Sequence, residues 1–124
     1  MSLDDSAVIR AEDSYETGSE IAPRLVADGF DAVVCVSDTF ALGVIAGLNR
    51  AGLKPGKDLA VVGFDDIAAA ALVEPGLSSI HQPMVQVGET LVTQLAQLIA
   101  GKSPDQSQIL IEPQLIERAS SSPL

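Results

Sequence analysis

The sequence has one cysteine, one histidine, no tryptophan, and 7 basic residues against 17 acidic ones in a length of 124. Each shortage excludes a class of answer. A single thiol, Cys35, builds neither a disulfide framework nor a cysteine metal cluster within one chain, and it is compatible with a reducing compartment. Aromatic residues make up 3% of the chain, too few for a base-stacking platform, and no basic residues interleave with them. The formal charge of -10 is a poor counter-charge for a phosphate backbone, which binds proteins chiefly by exchanging cations for Lys and Arg. Contact with nucleic acid through this chain is therefore not expected. The apolar runs fall far short of a bilayer span, and Met1-Ser2-Leu3-Asp4-Asp5 has neither the basic nor the apolar region of a secretion signal. The expectation is a cytoplasmic protein with no membrane partner, whose residues 1–6 are a tag or a disordered start.

What is present is material for a core. Apolar residues make up 47% of the chain, enough to fold one domain of ordinary size. Short β-type runs alternate with longer helical stretches, the pattern of βαβ units and a parallel sheet. The first run is Ala7-Val8-Ile9. Residues 16–28 read as a helix with Ile21, Ala22 and Leu25 on one face, closed by Gly29 as a left-handed cap. Residues 32–36 are continuously apolar and β-branched, as in a strand covered on both faces.

Asp38 opens the next helix, with Ala41, Val44, Ile45 and Leu48 along one stripe and Gly52 as its end. Gly43 and Gly47 inside it permit close packing; they do not form a phosphate loop. A polar turn at residues 54–58 leads into a second apolar strand over 59–63. Residues 67–72 form a short Ala-rich helix, which stops near Glu74-Pro75-Gly76. An extended stretch over 77–81 precedes the clearest helix, over 85–100, with Leu91, Leu95 and Leu98 on a stripe beside Val92 and Ile99. Residues 101–107 read as a polar loop, 108–117 as an edge strand or two short ones around Pro113, and 120–123 as a frayed tail.

In an open parallel sheet, ligands bind outside the carboxyl ends of the strands. The 33–36 run leads into Ser37-Asp38 and the 59–63 run into Asp65-Asp66, so neighbouring strands would put these groups along one rim. Ionised carboxylates accept hydrogen bonds only and suit a ligand rich in hydroxyl or N–H donors. Asp and Ser before a helix are also standard N-caps. Capping is favoured over ligand contact for Asp38 and Asp66, and the two readings stand level for Asp65. There is no activated nucleophile, no Ser-His-Asp set and no metal constellation, so no catalytic residue, cofactor or metal is expected. His81 reads as a positioned structural imidazole and Cys35 as core.

The string Asp31-Ala32-Val33-Val34-Cys35-Val36-Ser37-Asp38-Thr39-Phe40-Ala41-Leu42-Gly43 is followed by Gly52-Leu53-Lys54-Pro55-Gly56-Lys57-Asp58-Leu59-Ala60-Val61-Val62-Gly63-Phe64-Asp65-Asp66. Then come Pro75-Gly76-Leu77-Ser78-Ser79-Ile80-His81-Gln82-Pro83, Gly88-Glu89, and Pro113-Gln114-Leu115-Ile116-Glu117-Arg118-Ala119-Ser120. In this order and spacing they resemble the effector-binding core of bacterial repressors of the lactose and galactose repressor (LacI/GalR) family, over about residues 7–120. Tyr15-Glu16-Thr17-Gly18 with Ile21-Ala22-Pro23-Arg24-Leu25 is similar to the family's upstream helix.

The resemblance implies an α/β fold of the periplasmic-binding-protein-like type I class, a parallel-sheet three-layer α/β/α architecture of which this chain is a C-terminal fragment. It implies two lobes with a small effector of the sugar or nucleobase class between them. Residues 7–81 would form part of the C-terminal lobe. Residues 82–107 would be a crossover and helix of the N-terminal lobe, 108–119 returning strands, and 120–124 a tail. Asp65, the first acid of Gly-Phe-Asp-Asp, carries over as the effector contact, with Ser37 second and Asp38 third. Leu42, Ala69 and Val73 carry over to the dimer interface.

DNA would be reached only through a helix-turn-helix headpiece outside this sequence, whose geometry the effector biases by closing the lobes. An unpaired sheet edge and an uncovered helix stripe are expected to favour self-association, as a homodimer or a swapped oligomer. The alternative is a periplasmic sugar-binding protein of an ABC importer, which shares the fold. An enzyme would need a nucleophile or cofactor loop that the sequence lacks.

Overall fold

A computed structural model of the chain describes residues 7–103 and 108–122. The expected tag or disordered start at 1–6, the 104–107 part of the polar loop, and residues 123–124 of the tail lie outside the described residues. Among those described, the elements run α1 (Tyr15–Ala27), β1 (Ala32–Val34), α2 (Asp38–Arg50), β2 (Ala60–Phe64), α3 (Ala68–Leu72), β3 (Ser78–His81), α4 (Met84–Ile99) and β4 (Gln114–Ile116). The sheet order is β1-β2-β3-β4. The first three strands are parallel, with Val33 beside Val61 and Gly63 beside Ser79, and β4 returns antiparallel with Leu115 beside Ile80.

Local chemistry starts and stops the helices where the sequence indicates. Ser14 caps α1 by accepting the Thr17 N–H at 3.2 Å, and Ser37 caps α2 by accepting the Phe40 N–H at 3.1 Å. Gly29 and Gly52 follow the two helices with φ of 87° and 74°, the left-handed turn that costs a glycine nothing.

The two helices pack through small residues. A methyl group at Gly18 would overlap the carbonyl oxygen of Phe40, one at Gly43 that of Tyr15, and one at Gly47 that of Ser19. Pro23 lies inside α1 and has no N–H to give to the Ser19 carbonyl, so the oxygen that Gly47 faces lacks its usual donor four residues on. Arg50 Nη2 donates to Ser19 Oγ beside it. This close approach lets Ala22, Leu25, Ala41, Val44, Ile45 and Leu48 join one buried cluster with Leu59, Val61, Ala70 and Leu77.

Three expectations change. Ala7-Val8-Ile9 forms no strand; Val8 and Ile9 are exposed and pair with no ladder, so nothing fixes them as extended. The 32–36 run is not covered on both faces. Val33 and Cys35 turn inward, while Val34 and Val36 are 75% and 70% exposed, because α1, α2 and α3 contribute to one core on one side of β1. The tail is not frayed at Ser120, which is fully buried. Its N–H reaches the Gly76 carbonyl at 3.0 Å, its carbonyl accepts the Val61 N–H at 2.8 Å, and its hydroxyl joins Val61 and Ser78. It thus fills the ladder beside β2 where β3 has not yet begun. Helix α4 buries no residue, and its Leu91, Val92, Leu95 and Leu98 stand exposed.

Candidate functional site

The loops leaving β1, β2 and β3 meet at the carboxyl ends of adjacent parallel strands, the position where such sheets leave a crevice. Asp65 is exposed there, directly after β2. Its Oδ1 accepts the Gln82 Nε2–H at 2.6 Å, and its backbone N–H is tied to the Ile80 carbonyl at 3.0 Å. Both Asp65 and Asp66 sit in the left-handed region, with φ of 106° and 52°. Residues with a Cβ pay on the order of 1–2 kcal/mol each for that conformation, which persists where the surroundings over-determine it.

The surroundings do so here. Asp66 N–H donates to Ser79 Oγ at 3.0 Å, and Asp66 Oδ1 accepts from Arg118 Nη2 at 2.8 Å. Its Oδ2 lies 3.1 Å from His81 Nδ1. The next amide, Ile67 N–H, donates to Asp38 Oδ2 at 2.8 Å, and Asp38 Oδ1 accepts from the Ser79 hydroxyl at 2.5 Å. Two acids are adjacent because they do different work: one faces solvent and the other anchors the turn.

The expected residues are therefore brought to one rim, in unequal positions. Asp65 presents its carboxylate outward. Ser37 is half-buried; its hydroxyl accepts from Phe40 N and donates to Asp13 Oδ1 at 2.6 Å. Asp38, placed third on the rim, is 1% exposed and turned inward with both oxygens engaged. Its reading as a cap is also corrected: Ser37 caps α2, and Asp38 is the first helical residue. Nor does Asp66 cap α3, whose N-cap is Ile67 without a side-chain bond, since the carboxylate of Asp66 is held by Arg118 and His81.

Arg118, Ser79 and Gln82 entered the sequence reading only as parts of matching strings. Their roles depend on β3 and on the antiparallel return of β4, which no local pattern announces. His81 is positioned against Asp66, as expected of a structural imidazole. Cys35 lies in the core, and burial, with the charges of Asp38 and Asp13 adding to it, pushes its thiol up from an ordinary 9.0 to about 12. Among the described residues no group of three or more His, Cys, Asp or Glu side chains could hold a metal ion, and no helix is long and apolar enough to cross a membrane.

A second feature lies at the helices. An open, mainly apolar groove of about 360 Å³ is lined by Tyr15, Leu42, Ile45, Ala46, Asn49, Ala69, Leu72 and Val73. It unites Leu42, Ala69 and Val73, the three residues assigned by resemblance to self-association.

Residues 2–121 match the model of a family described as a periplasmic binding protein-like domain. The HTH-type transcriptional regulator MalR of Streptomyces coelicolor is 36% identical over 109 residues, which are 88% of this chain and 32% of that protein. The chain thus spans about a third of the length of this curated relative. A crystal structure of a regulatory protein of the LacI family from Chloroflexus aggregans superposes with a TM-score of 0.85 at 31% identity, over 98% of this chain and 44% of that one. The lac repressor dimer bound to operator and the anti-inducer ONPF superposes with a TM-score of 0.78 at 28% identity, over 88% of this chain and 33% of that one.

Proposed function

Because the chain belongs to the periplasmic-binding-protein-like domain family, in its LacI/GalR regulator branch, we propose that it is the effector-sensing and dimerising part of a bacterial transcriptional repressor. It takes a small sugar or nucleobase-type effector at the strand-end rim and acts on DNA through a headpiece outside this sequence. The observation that carries this reading is the Asp65 carboxylate. It is exposed beyond β2, held by Gln82, and mounted on a turn that an inner network makes rigid. A fixed, solvent-facing acceptor of this kind suits a ligand whose recognition groups are hydroxyls or N–H groups.

In this reading Asp65 meets the effector directly. Ser37 joins by exchanging its bond to Asp13, and Asp38 supports the rim from behind. Residues 7–81 belong to one lobe, 82–107 cross to the other, and 108–119 return. The exposed apolar stripe of α4 supports that division, since a helix completing a second lobe needs such a face. The groove around Leu42, Ala69 and Val73 serves dimerisation, as the dimeric lac repressor among the similar structures supports. Effector binding biases an equilibrium between two lobe arrangements and so couples to DNA affinity; no bond is made or broken. That the relatives are transcriptional regulators supports a non-enzymatic, cytoplasmic role.

The test uses the full-length regulator. Operator affinity is measured by fluorescence anisotropy with and without a panel of mono- and disaccharides and nucleosides. One ligand class is expected to change the affinity, and Asp65→Asn to weaken that response at unchanged melting temperature. Absence of operator binding under every condition would overturn the repressor reading; sugar binding with no operator binding would mark an importer's receptor instead.

A further inference from the structure

The turn that carries Asp65 is held from the far end of the chain. Arg118 follows Asp66 by 52 residues, yet its Nη2 donates to Asp66 Oδ1 at 2.8 Å and its Nη1 to the Leu77 carbonyl at 2.7 Å. Its own backbone N–H donates to Ser78 Oγ at 2.7 Å. The side chains of Arg118 and Asp66 are only 22% and 15% exposed, so solvent screens the pair far less than a surface ion pair. Two residues on, the buried Ser120 is locked to Gly76, Val61 and Ser78. The guanidinium therefore reaches the turn from a base that is fixed independently of Asp66.

Asp66 needs that hold. Two consecutive left-handed residues do not keep such a geometry by intrinsic preference, and the direction of the Asp65 side chain follows from the backbone of the pair. The other restraints on Asp66 are the Ser79 hydroxyl on its N–H and the half-exposed His81 ring on its second oxygen. Arg118 alone among these three brings a planar fork that spans the turn and the start of β3 together. We propose that Arg118 is a positioning residue for Asp65: by clamping Asp66 to the β3 entry it fixes the angle at which the Asp65 carboxylate faces the crevice, without touching the ligand itself. The value of that angle for ligand selection rests on the reading of Asp65 given above.

The bond from Gln82 Nε2 to Asp65 Oδ1 supplies a reporter that needs no ligand. In the full-length regulator labelled with ¹⁵N-glutamine, the Gln82 side-chain amide, assigned by Gln82→Ala, is followed in the wild type, Arg118→Lys, Arg118→Ala and Asp65→Asn. Arg118→Ala is expected to move that resonance toward its Asp65→Asn position and to speed its hydrogen exchange about tenfold, the scale of one charge-assisted hydrogen bond. Arg118→Lys keeps the charge but not the fork, and is expected to lie between. A Gln82 amide unchanged in both Arg118 variants overturns the proposal; should Arg118→Ala fail to fold, Arg118→Lys decides it alone.

Lactose, maltose, D-ribose and adenosine are titrated into the same proteins. A probe that binds the wild type should bind Arg118→Ala about tenfold more weakly, and the Arg118 substitution should add nothing in an Asp65→Asn background. An undiminished Arg118 effect in that background overturns action through Asp65. A probe held equally by wild type and Asp65→Asn instead overturns the reading of Asp65 as ligand contact, leaving the Gln82 signature to judge Arg118.

Discussion

The Ser79 hydroxyl donates to Asp38 Oδ1 at 2.5 Å, joining the first residue of α2 to β3 across 41 positions of sequence. The other oxygen of Asp38 accepts the Ile67 N–H at 2.8 Å, so one carboxylate ties together the segments that follow β1 and β2 and the strand beside them. A charge at 1% exposure is tolerable only because its oxygens are engaged, and among the described residues no buried side-chain nitrogen or oxygen lacks a partner.

Asp38→Ala removes the acceptor and strands two donors in the interior. It is expected to lower unfolding free energy by about 2–4 kcal/mol, and Ser79→Ala by about 1–3 kcal/mol, since that change in turn leaves Asp38 Oδ1 and the Asp66 N–H without their partner. Because the two share a bond, the double variant should lose less than the sum of the single losses. Urea denaturation of the four proteins checks this, and strictly additive losses would show that the bond contributes nothing of its own.

Gly47→Ala sets two effects against each other. Alanine favours a helix interior by about 1 kcal/mol over glycine, but here the added methyl meets the Ser19 backbone and the Ala22 side chain. Separating two packed helices to admit it costs about 1–3 kcal/mol, so the melting temperature should fall. Gly88→Ala in α4, where a methyl meets nothing within 4 Å, is the control and should raise stability by about 0.5–1 kcal/mol.

Ala69→Arg tests the groove. Ala69 is exposed at the groove wall, so the substitution leaves the core untouched while placing a charge where an apolar partner would sit. Sedimentation velocity of the full-length protein should show loss of dimer at an unchanged melting temperature. A dimer that persists would remove Leu42, Ala69 and Val73 from the self-association surface.

Much of this molecule is legible in its sequence wherever the determinants are local. The stripe through Ala41, Val44, Ile45 and Leu48 gave α2, the glycines at 43 and 47 gave its close packing, and the acids after two apolar runs gave the rim. What local pattern does not carry is pairing at a distance. The Arg118–Asp66 bond spans 52 residues, and the division of labour between Asp65 and Asp66 depends on it. Ser120 misleads for a related reason: a run of serines has the composition of a tail, whereas here β2 supplies a partner for the backbone and hydroxyl alike. The continuous apolar run of β1 suggests cover on two faces; the composition of a strand records what it can bury, and among the described residues its second face stays open.

Cys35 converts burial into a dependence on pH. Its thiol is pushed up from 9.0 to about 12, first by burial and then by the charges of Asp38 and Asp13. The unfolded chain loses this proton near 9 while the folded one keeps it to about 12. Over that window the unfolded state binds fewer protons, so stability falls as pH rises. The contribution is fully present below pH 9 and is gone once pH passes the folded value. Cys35→Ala lacks it, so the stability gap between wild type and variant should narrow steadily from pH 9 upward. At pH 8 the buried thiol should also resist an aromatic disulfide reagent until urea exposes it, since the reactive species is the thiolate. A gap that stays constant across the window, or rapid modification of the folded protein at pH 8, would show that Cys35 is reached by water.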